Sequence, residues 1–334
     1  MLIERKKMDF NINTSKLLQQ SRAVDLDPNN LYDVLIIGGG PAGLSAAVYA
    51  MRKGLSSGLM GTLLGGMVVN TASVQNYMGF KYVEGSELMD RFVEQVKQFE
   101  IGIKEYAVVT SVKENGNIKE VTLKDGSVYK AKTLIVATGK FPIRLNIPGE
   151  AKLSGKGVSY CTTCDAPLYK DKTVAIIGGG NSGVESAIDV ANFANKVYVI
   201  EVSDTLRADH VLDAACKKMK NIEFLLAHKA KAINGEKRVE SILLEDLTEH
   251  QEKKIEVDGI FISIGLQPNS GIMKDLVAVN ERGEIIVDCN CRTSREGIFA
   301  AGDVTTVPYK QIIIASGEGA KAALSANDFL LKHT

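Results

Sequence analysis

Asp33-Val34-Leu35-Ile36-Ile37-Gly38-Gly39-Gly40-Pro41-Ala42-Gly43 is the stretch that decides the fold. Its β-branched run reads as a buried strand. Glycines follow at once, and Ala46-Ala47-Val48-Tyr49-Ala50 continues as a small-residue helix. In this strand–turn–helix setting Gly38 permits the tight turn, Gly40 lets the backbone approach a pyrophosphate, and Gly43 lets helix and strand pack closely. The helix N-terminus, opening at Pro41 and Ala42, then meets the negative charge.

The pattern recurs. Thr173-Val174-Ala175-Ile176-Ile177-Gly178-Gly179-Gly180-Asn181-Ser182-Gly183 repeats strand and fingerprint, so a second dinucleotide turn is expected. The two units differ after their second strands. Val197-Tyr198-Val199-Ile200 ends in Glu201, close to the offset expected for an acid that holds ribose hydroxyls. A carboxylate there accepts from the hydroxyls of NADH and repels the 2′-phosphate of NADPH. Only Arg207 is nearby, so NADH is the expected donor; the plainer reading of Glu201 is a solvated strand end. In the first unit Gly58-Leu59-Met60-Gly61-Thr62 has no acid, which leaves Thr62 or backbone groups to serve, and Gly65-Gly66-Met67 follows as another turn that exposes its backbone.

Between the units lies Val158-Ser159-Tyr160-Cys161-Thr162-Thr163-Cys164-Asp165. Two thiols separated by two residues can close a small disulfide and exchange with an incoming one, or form half of a zinc site. The remaining residues, Cys216, Cys289, Cys291 and the four histidines, show no second pair at ligand spacing, so no metal is expected. Cys289 and Cys291 read as strand residues pointing to one face. Five cysteines in a 334-residue chain fit a reducing cytoplasm. Zero net charge suggests no nucleic-acid or membrane partner. The basic start lacks an apolar run, so no signal peptide is expected.

Around these motifs, residues 1–30 read as a mobile or loosely packed extension. Helical spacing marks 86–100, and short alternating strands with turns at Asn115-Gly116 and Asp125-Gly126 mark a small antiparallel layer over 105–129. Lys132–Gly139 reads as a buried strand ending in Thr138 and Gly139, and Pro142 and Pro148 mark a linker. Two strand-like runs, 259–265 and 297–303, precede a helix from Gln311 to Leu331.

Two fingerprints, the intervening Cys161-Thr162-Thr163-Cys164-Asp165, and Ala300-Ala301-Gly302-Asp303 together resemble the low-molecular-weight thioredoxin reductases. The likeness is closer still to the flavoprotein reductase that serves alkyl hydroperoxide peroxidase, and is tightest over 157–183 and 308–325. The resemblance implies an α/β fold of two Rossmann-like dinucleotide-binding domains, of three-layer ββα type, the second inserted in the first. After the extension (1–30), residues 31–141 and 266–334 would bind FAD, and 142–265 would bind the pyridine nucleotide and carry the dithiol. Gly38, Gly40, Pro41, Ala42, Gly43, Thr62, Gly66, Thr138, Gly139, Gly302, Asp303, Gln311 and Ile312 would face FAD. Gly178, Gly180, Asn181, Ser182, Gly183, Glu201 and Arg207 would face NADH. Cys164 would be the thiol beside the flavin, Cys161 the one that attacks the partner, and Asp165 the proton donor and acceptor; the plainer role for Asp165 is a helix cap.

The family further implies hinges near Lys140–Pro142 and Gly265–Pro268, a homodimer, and a thioredoxin-like or glutaredoxin-like disulfide partner. Three departures stand out. NADPH-using members carry His-Arg-Arg where this chain has Glu201-Val202-Ser203. Met67 replaces a flavin-side Gln, and the first ribose strand lacks its acid. The peroxidase-linked reductase carries an additional N-terminal dithiol domain not found in this sequence, so transfer to a separate protein is expected. Two other functions remain open to the sequence: the same flavin and dithiol with a donor such as ferredoxin, and a non-catalytic redox sensor.

Overall fold

The computed structural model describes residues 22–71 and 74–333; residues 1–21 of the expected extension lie outside it. Along the first part of the chain run β1 (Val24–Asp25), β2 (Leu31–Ile37), α1 (Pro41–Arg52), β3 (Ser57–Gly61), α2 (Gly85–Lys97), β4 (Gly102–Glu105), β5 (Val109–Asn115), β6 (Ile118–Leu123), β7 (Val128–Val136) and β8 (Lys140–Pro142). They build a sheet in the order β1-β4-β3-β2-β7-β6-β5. Its β1–β4–β3–β2–β7 part is parallel, whereas β5, β6 and β7 pair antiparallel.

The continuous apolar run in β2 is explained by burial on both faces. Val34 and Ile36 pack with Leu44, Ala47 and Val48 of α1. Leu35 and Ile37 pack on the other face with Val112, Val121 and Leu123 of the antiparallel strands. Alternate residues thus serve two cores, as a side-chain period of two requires.

The second unit is built the same way. It comprises α3 (Glu150–Leu153), β9 (Val158–Ser159), α4 (Thr162–Asp165), β10 (Thr173–Ile177), α5 (Asn181–Ala191), β11 (Lys196–Ile200), α6 (His210–Lys217), β12 (Ile222–Leu225), β13 (His228–Asn234), β14 (Ser241–Asp246), β15 (Glu252–Glu256) and β16 (Gly259–Ile262). A parallel sheet, β12-β11-β10-β16-β9, is joined by an antiparallel sheet, β13-β14-β15. Val174 and Ile176 meet α5, whereas Ala175 and Ile177 meet Ile233, Ile242 and Leu244 of the antiparallel layer. The chain then returns through β17 (Leu266–Pro268) and β18 (Ile298–Ala300) into α7 (Ile312–His333). Strand β18 extends the first sheet beside β7. The two stretches expected as hinges pair with each other: β8 and β17 form an antiparallel ribbon where the chain crosses between the sheets.

Two expectations are corrected. Residues 24–25, assigned to a loose extension, form β1 at the sheet edge, and Leu26 is buried. Its side chain sits over Gly58 and Gly102, where an added Cβ would come within 2.4 and 2.7 Å of Leu26 Cδ1. Cys289 and Cys291 do not share a strand face. Cys291 is buried with φ 62°, whereas Cys289 is exposed, because Asp288–Cys291 closes a turn.

Helix and strand approach so closely that a Cβ on Gly43 would lie 1.8 Å from the Gly38 carbonyl oxygen. Gly43→Ala is therefore expected to cost about 1–3 kcal/mol, the usual range for overpacking. Gly271→Ala, with open space around it, is expected to stay within about 0.5 kcal/mol of the parent. Equilibrium denaturation of the two variants checks both.

Candidate functional site

The first glycine turn opens on a cavity of about 530 Å³, within the range of sites that enclose cofactors. The turn contributes Gly38, Gly40, Pro41 and Ala42 to its lining; the loop after β3 contributes Thr62, Gly66 and Met67. Thr138 and Gly139 enter from the end of β7, and Gly302, Asp303, Gln311 and Ile312 from the return segment. Residues far apart in sequence thus meet at the N-termini of α1 and α7, where unpaired N–H groups favour an anion. Gly43 does not border the cavity; it takes the helix–strand contact instead.

The missing acid of the first unit acquires a structural account. Ile37 pairs with Met60 as Ile177 pairs with Ile200, so Gly61 stands where Glu201 stands in the second unit. A Cβ at Gly61 would lie 2.8 Å from the Gly39 nitrogen, which leaves no room for a side chain there. Thr62, one residue on, reaches the cavity instead.

Lys140 and Lys310 also line the cavity and were missed by the sequence reading. Lys140 donates to Glu284, and Lys310 Nζ stands 3.8 Å from the same carboxylate. Burial raises the carboxyl pKa of Asp303, opposed by the charges of Lys310 and Lys140. Burial lowers the Lys310 pKa, helped by repulsion from Lys140. No local motif announces this cluster, because Lys140 and Glu284 are 144 residues apart.

The second fingerprint repeats the geometry with an acid in place. Gly178 N–H donates to Ile200 O at 2.9 Å, as Gly38 N–H donates to Met60 O at 2.8 Å. Glu201 is not a solvated strand end: it is 2 % exposed, and its carboxylate accepts from Gly179 N–H at 2.6 Å and Ser203 N–H at 3.0 Å. Burial opposes its charge, but these N–H groups and the Arg207 guanidinium 3.3 Å away outweigh that and hold its pKa down. Asn181 is tied to Asp209 by reciprocal bonds of 2.7 and 2.8 Å, and Ser182 is exposed at the start of α5. Gly183 packs on Gly178, while a Cβ on Gly180 would meet nothing within 4 Å, so the turn is open to a ligand there.

Cys161 and Cys164 are joined as a disulfide across the first turn of α4, with Cα atoms 5.4 Å apart. Asp165 does not cap the following helical turn through its side chain. Its carboxylate instead accepts from Ser159 Oγ at 2.5 Å, and burial raises its pKa against that bond. Ser159 Oγ in turn accepts the Cys161 N–H at 3.2 Å. Thr162 connects through Ser186 of α5 to Ser263, with oxygen separations of 3.3 and 3.0 Å, docking the dithiol turn on the second fingerprint helix.

Tyr160 donates to Glu150 at 2.8 Å. Glu150 is buried and also accepts from the N–H groups of Leu145 and Asn146, fastening the linker beside the dithiol. Cys164, expected beside the flavin, does not border the cavity in this arrangement. The disulfide follows β9, which pairs with β16 of the second sheet. Among the described residues no group of three or more His, Cys, Asp or Glu gathers as a metal site, and no helix is long and apolar enough to cross a membrane.

Residues 32–320 match the family described as pyridine nucleotide-disulphide oxidoreductase. An alkyl hydroperoxide reductase subunit of Staphylococcus aureus is 44% identical over 319 residues, which cover 96% of this chain and 63% of the relative. The chain thus spans less than two thirds of the length of that curated relative. Among solved structures, thioredoxin reductase from Streptococcus pyogenes is 37% identical with a TM-score of 0.87, covering 91% of this chain and 99% of the other. Lactococcus lactis thioredoxin reductase in its "FR conformation", 34% identical, covers 90% and 99% with a TM-score of only 0.62.

The cysteines differ enough in environment to be told apart chemically. Burial pushes the thiol of Cys216 up to about 11 and that of Cys291 up to about 12, whereas Cys289 is exposed. Because the thiolate is the reactive form, alkylation of the native oxidised protein near pH 8 is expected to modify Cys289 alone. Mild reduction should add Cys161 and Cys164. Peptide mass spectrometry of both samples reads the result.

Proposed function

The chain belongs to the pyridine nucleotide-disulphide oxidoreductase family, and from that premise we propose that it is an FAD-dependent disulfide reductase. It takes electrons from NADH and delivers them through Cys161 and Cys164 to a thioredoxin-like or glutaredoxin-like protein. In this reading residues 31–141 and 266–334 hold FAD, and residues 142–265 hold NADH and the dithiol.

The cavity suits FAD in size and donor set. The N-terminus of α1 would hold the pyrophosphate, Asp303 the phosphate–ribityl region, and Gln311 and Ile312 at the start of α7 the isoalloxazine. Two helix N-termini and two lysines on one cavity match a ligand that carries phosphates. FAD bound there supplies the chemistry that side chains lack, accepting a hydride and releasing an electron pair to a disulfide.

The observation that carries the choice of NADH is the Glu201 carboxylate, held charged at the mouth of the second fingerprint by Gly179 and Ser203. Oε1 accepts from Ser203 and Arg207, and Oε2 from Gly179 and Arg207, so a ribose hydroxyl would bond here by taking the place of the longer Arg207 contacts. A 2′-phosphate at that position would meet like charge. Two unit charges 4 Å apart repel by about 1 kcal/mol in water and about 4 kcal/mol near a protein surface. Arg207 offsets this only in part, since its side chain is 65% exposed and screened by solvent.

At the dithiol, Cys161 attacks the partner disulfide, Cys164 resolves the mixed disulfide, and Asp165 moves the protons that thiol exchange requires. A change of pose between the two sheets would bring the dithiol to the flavin cavity. The drop in TM-score from 0.87 to 0.62 at nearly equal identity and coverage supports such a change about the β8–β17 ribbon.

Stopped-flow reduction of the FAD-loaded protein tests the donor. NADH is expected to exceed NADPH in second-order rate by at least about tenfold, since 1.4 kcal/mol of discrimination already gives that factor. Glu201→Gln should narrow the ratio by weakening NADH and admitting NADPH. A wild-type preference for NADPH would overturn the assignment, and flavin reduced by neither would point to a protein donor such as a ferredoxin.

A further inference from the structure

The hydrogen bonds around the disulfide converge on a residue to which neither fingerprint nor dithiol motif assigns a role. Ser159 is 7% exposed on β9, two residues before Cys161. Its hydroxyl donates to Asp165 Oδ2 at 2.5 Å and accepts the Cys161 N–H at 3.2 Å. A single oxygen thus joins the backbone of one redox cysteine to the carboxylate that follows the other.

Ser159 is the only side-chain hydrogen-bond partner of that carboxylate among the described residues. We propose that Ser159 is a positioning residue of dithiol exchange, whose hydroxyl holds the Asp165 carboxylate beside the turn carrying both sulfurs so that it can ferry a proton between enzyme and partner thiols. The inference rests on the disulfide-reductase reading and deepens it.

In the first half of the exchange the Asp165 carboxylate takes the Cys161 thiol proton and the Cys161 thiolate attacks the partner disulfide; a Cys161–partner S–S bond forms, the partner S–S bond breaks, and one partner sulfur leaves as thiolate. Asp165, carrying the proton, gives it to that leaving thiolate. The Asp165 carboxylate then accepts the Cys164 thiol proton, Cys164 attacks Cys161 sulfur, and the Cys161–Cys164 disulfide forms as the second partner thiolate leaves. The partner gains the two electrons that the enzyme dithiol loses.

Ser159 suits both protonation states. With Asp165 ionised, the hydroxyl proton points to the carboxylate. With Asp165 protonated, the acid can donate to Ser159 Oγ, and the hydroxyl proton turns to the Cys161 carbonyl at 3.5 Å. The two states exchange without a side-chain movement.

Among the groups packed on this turn, Tyr169 feels the Asp165 charge and is pushed up to about 12 by burial, Asp165 and Asp258. Lys172 lies over its ring. Glu185 and Asp189 are the acids of α5, which packs on the same turn. Tyr160, bonded to Glu150, adjoins Cys161, and the reduced thiols titrate on the turn itself. A donor to the ionised carboxylate favours that form, so loss of the hydroxyl lets Asp165 hold its proton to higher pH.

The test follows exchange of the pre-reduced protein with hydroxyethyl disulfide from pH 5 to 9. In Ser159→Ala and Ser159→Val the acid limb is expected to move up by about one pH unit, the effect of losing one hydrogen bond to a charged group. Ser159→Thr, which matches Val in shape but keeps the hydroxyl, should restore the wild-type limb, and Asp165→Asn should abolish it. Reduction of the flavin by NADH should be unchanged in the three Ser159 variants.

Superimposable wild-type, Val and Thr profiles would overturn the proposal. A wild-type dithiol that exchanges with no disulfide would instead sink the reductase reading itself. Should the Ala and Val variants fail to fold, infrared difference spectra of wild-type protein against Asp165→Asn decide. A hydrogen-bonded Asp165 carboxyl band that titrates above the ordinary carboxylate range supports the proposal, and the band of a free, solvated carboxyl overturns it.

Discussion

The contact of Gly43 with the Gly38 carbonyl, repeated by Gly183 on Gly178, is the constraint on which the rest of the molecule depends. Each lets a helix begin against the strand that precedes it, so the helix N-terminus ends up over the edge of a parallel sheet. A side chain at either glycine would meet the carbonyl of Gly38 or Gly178 and lift the helix away from its strand. Because both units obey the constraint in the same register, the chain places two dinucleotide turns on two sheets and differentiates them only beyond the second strand of each.

It does so with few changes. At equivalent places after that strand, Gly61 offers no side chain to the Gly39 N–H, whereas Glu201 accepts from Gly179. One unit therefore presents a glycine-lined cavity with lysines at its margin, and the other a fixed negative charge. The dithiol belongs to the second unit but is fastened more widely. Thr162 reaches through Ser186 to Ser263 near the nucleotide turn, and Tyr160 reaches Glu150 at the linker. A change at the nucleotide turn or the linker is thus physically connected to the sulfurs.

The repeated fingerprints and the buried strands β2 and β10 were legible in the sequence because each rests on local spacing, whereas cavity residues such as Asp303, Gln311 and Ile312 were legible only through the family resemblance. Features that were not legible depend on contacts between distant segments. Lys140 and Glu284 meet across 144 residues, and Glu150 is a buried acid held by backbone N–H groups ahead of it and by the Tyr160 hydroxyl. Ser159 is separated from Asp165 by only six residues, yet the bond depends on β9 turning directly into α4, which no periodicity encodes. Leu26 was misread for a related reason: a two-residue strand carries too little pattern to be seen until the edge it covers is known.

In the proposed reaction the flavin and the disulfide form one electron path. Anaerobic titration of the FAD-loaded protein with NADH, scored by flavin absorbance and by free thiols, tests it directly. A flavin and a disulfide are each two-electron couples, so wild type should take up about four electrons per chain and gain two thiols, while Cys161→Ser should stop at about two. Wild-type protein that stops at two electrons with its disulfide intact would contradict the account.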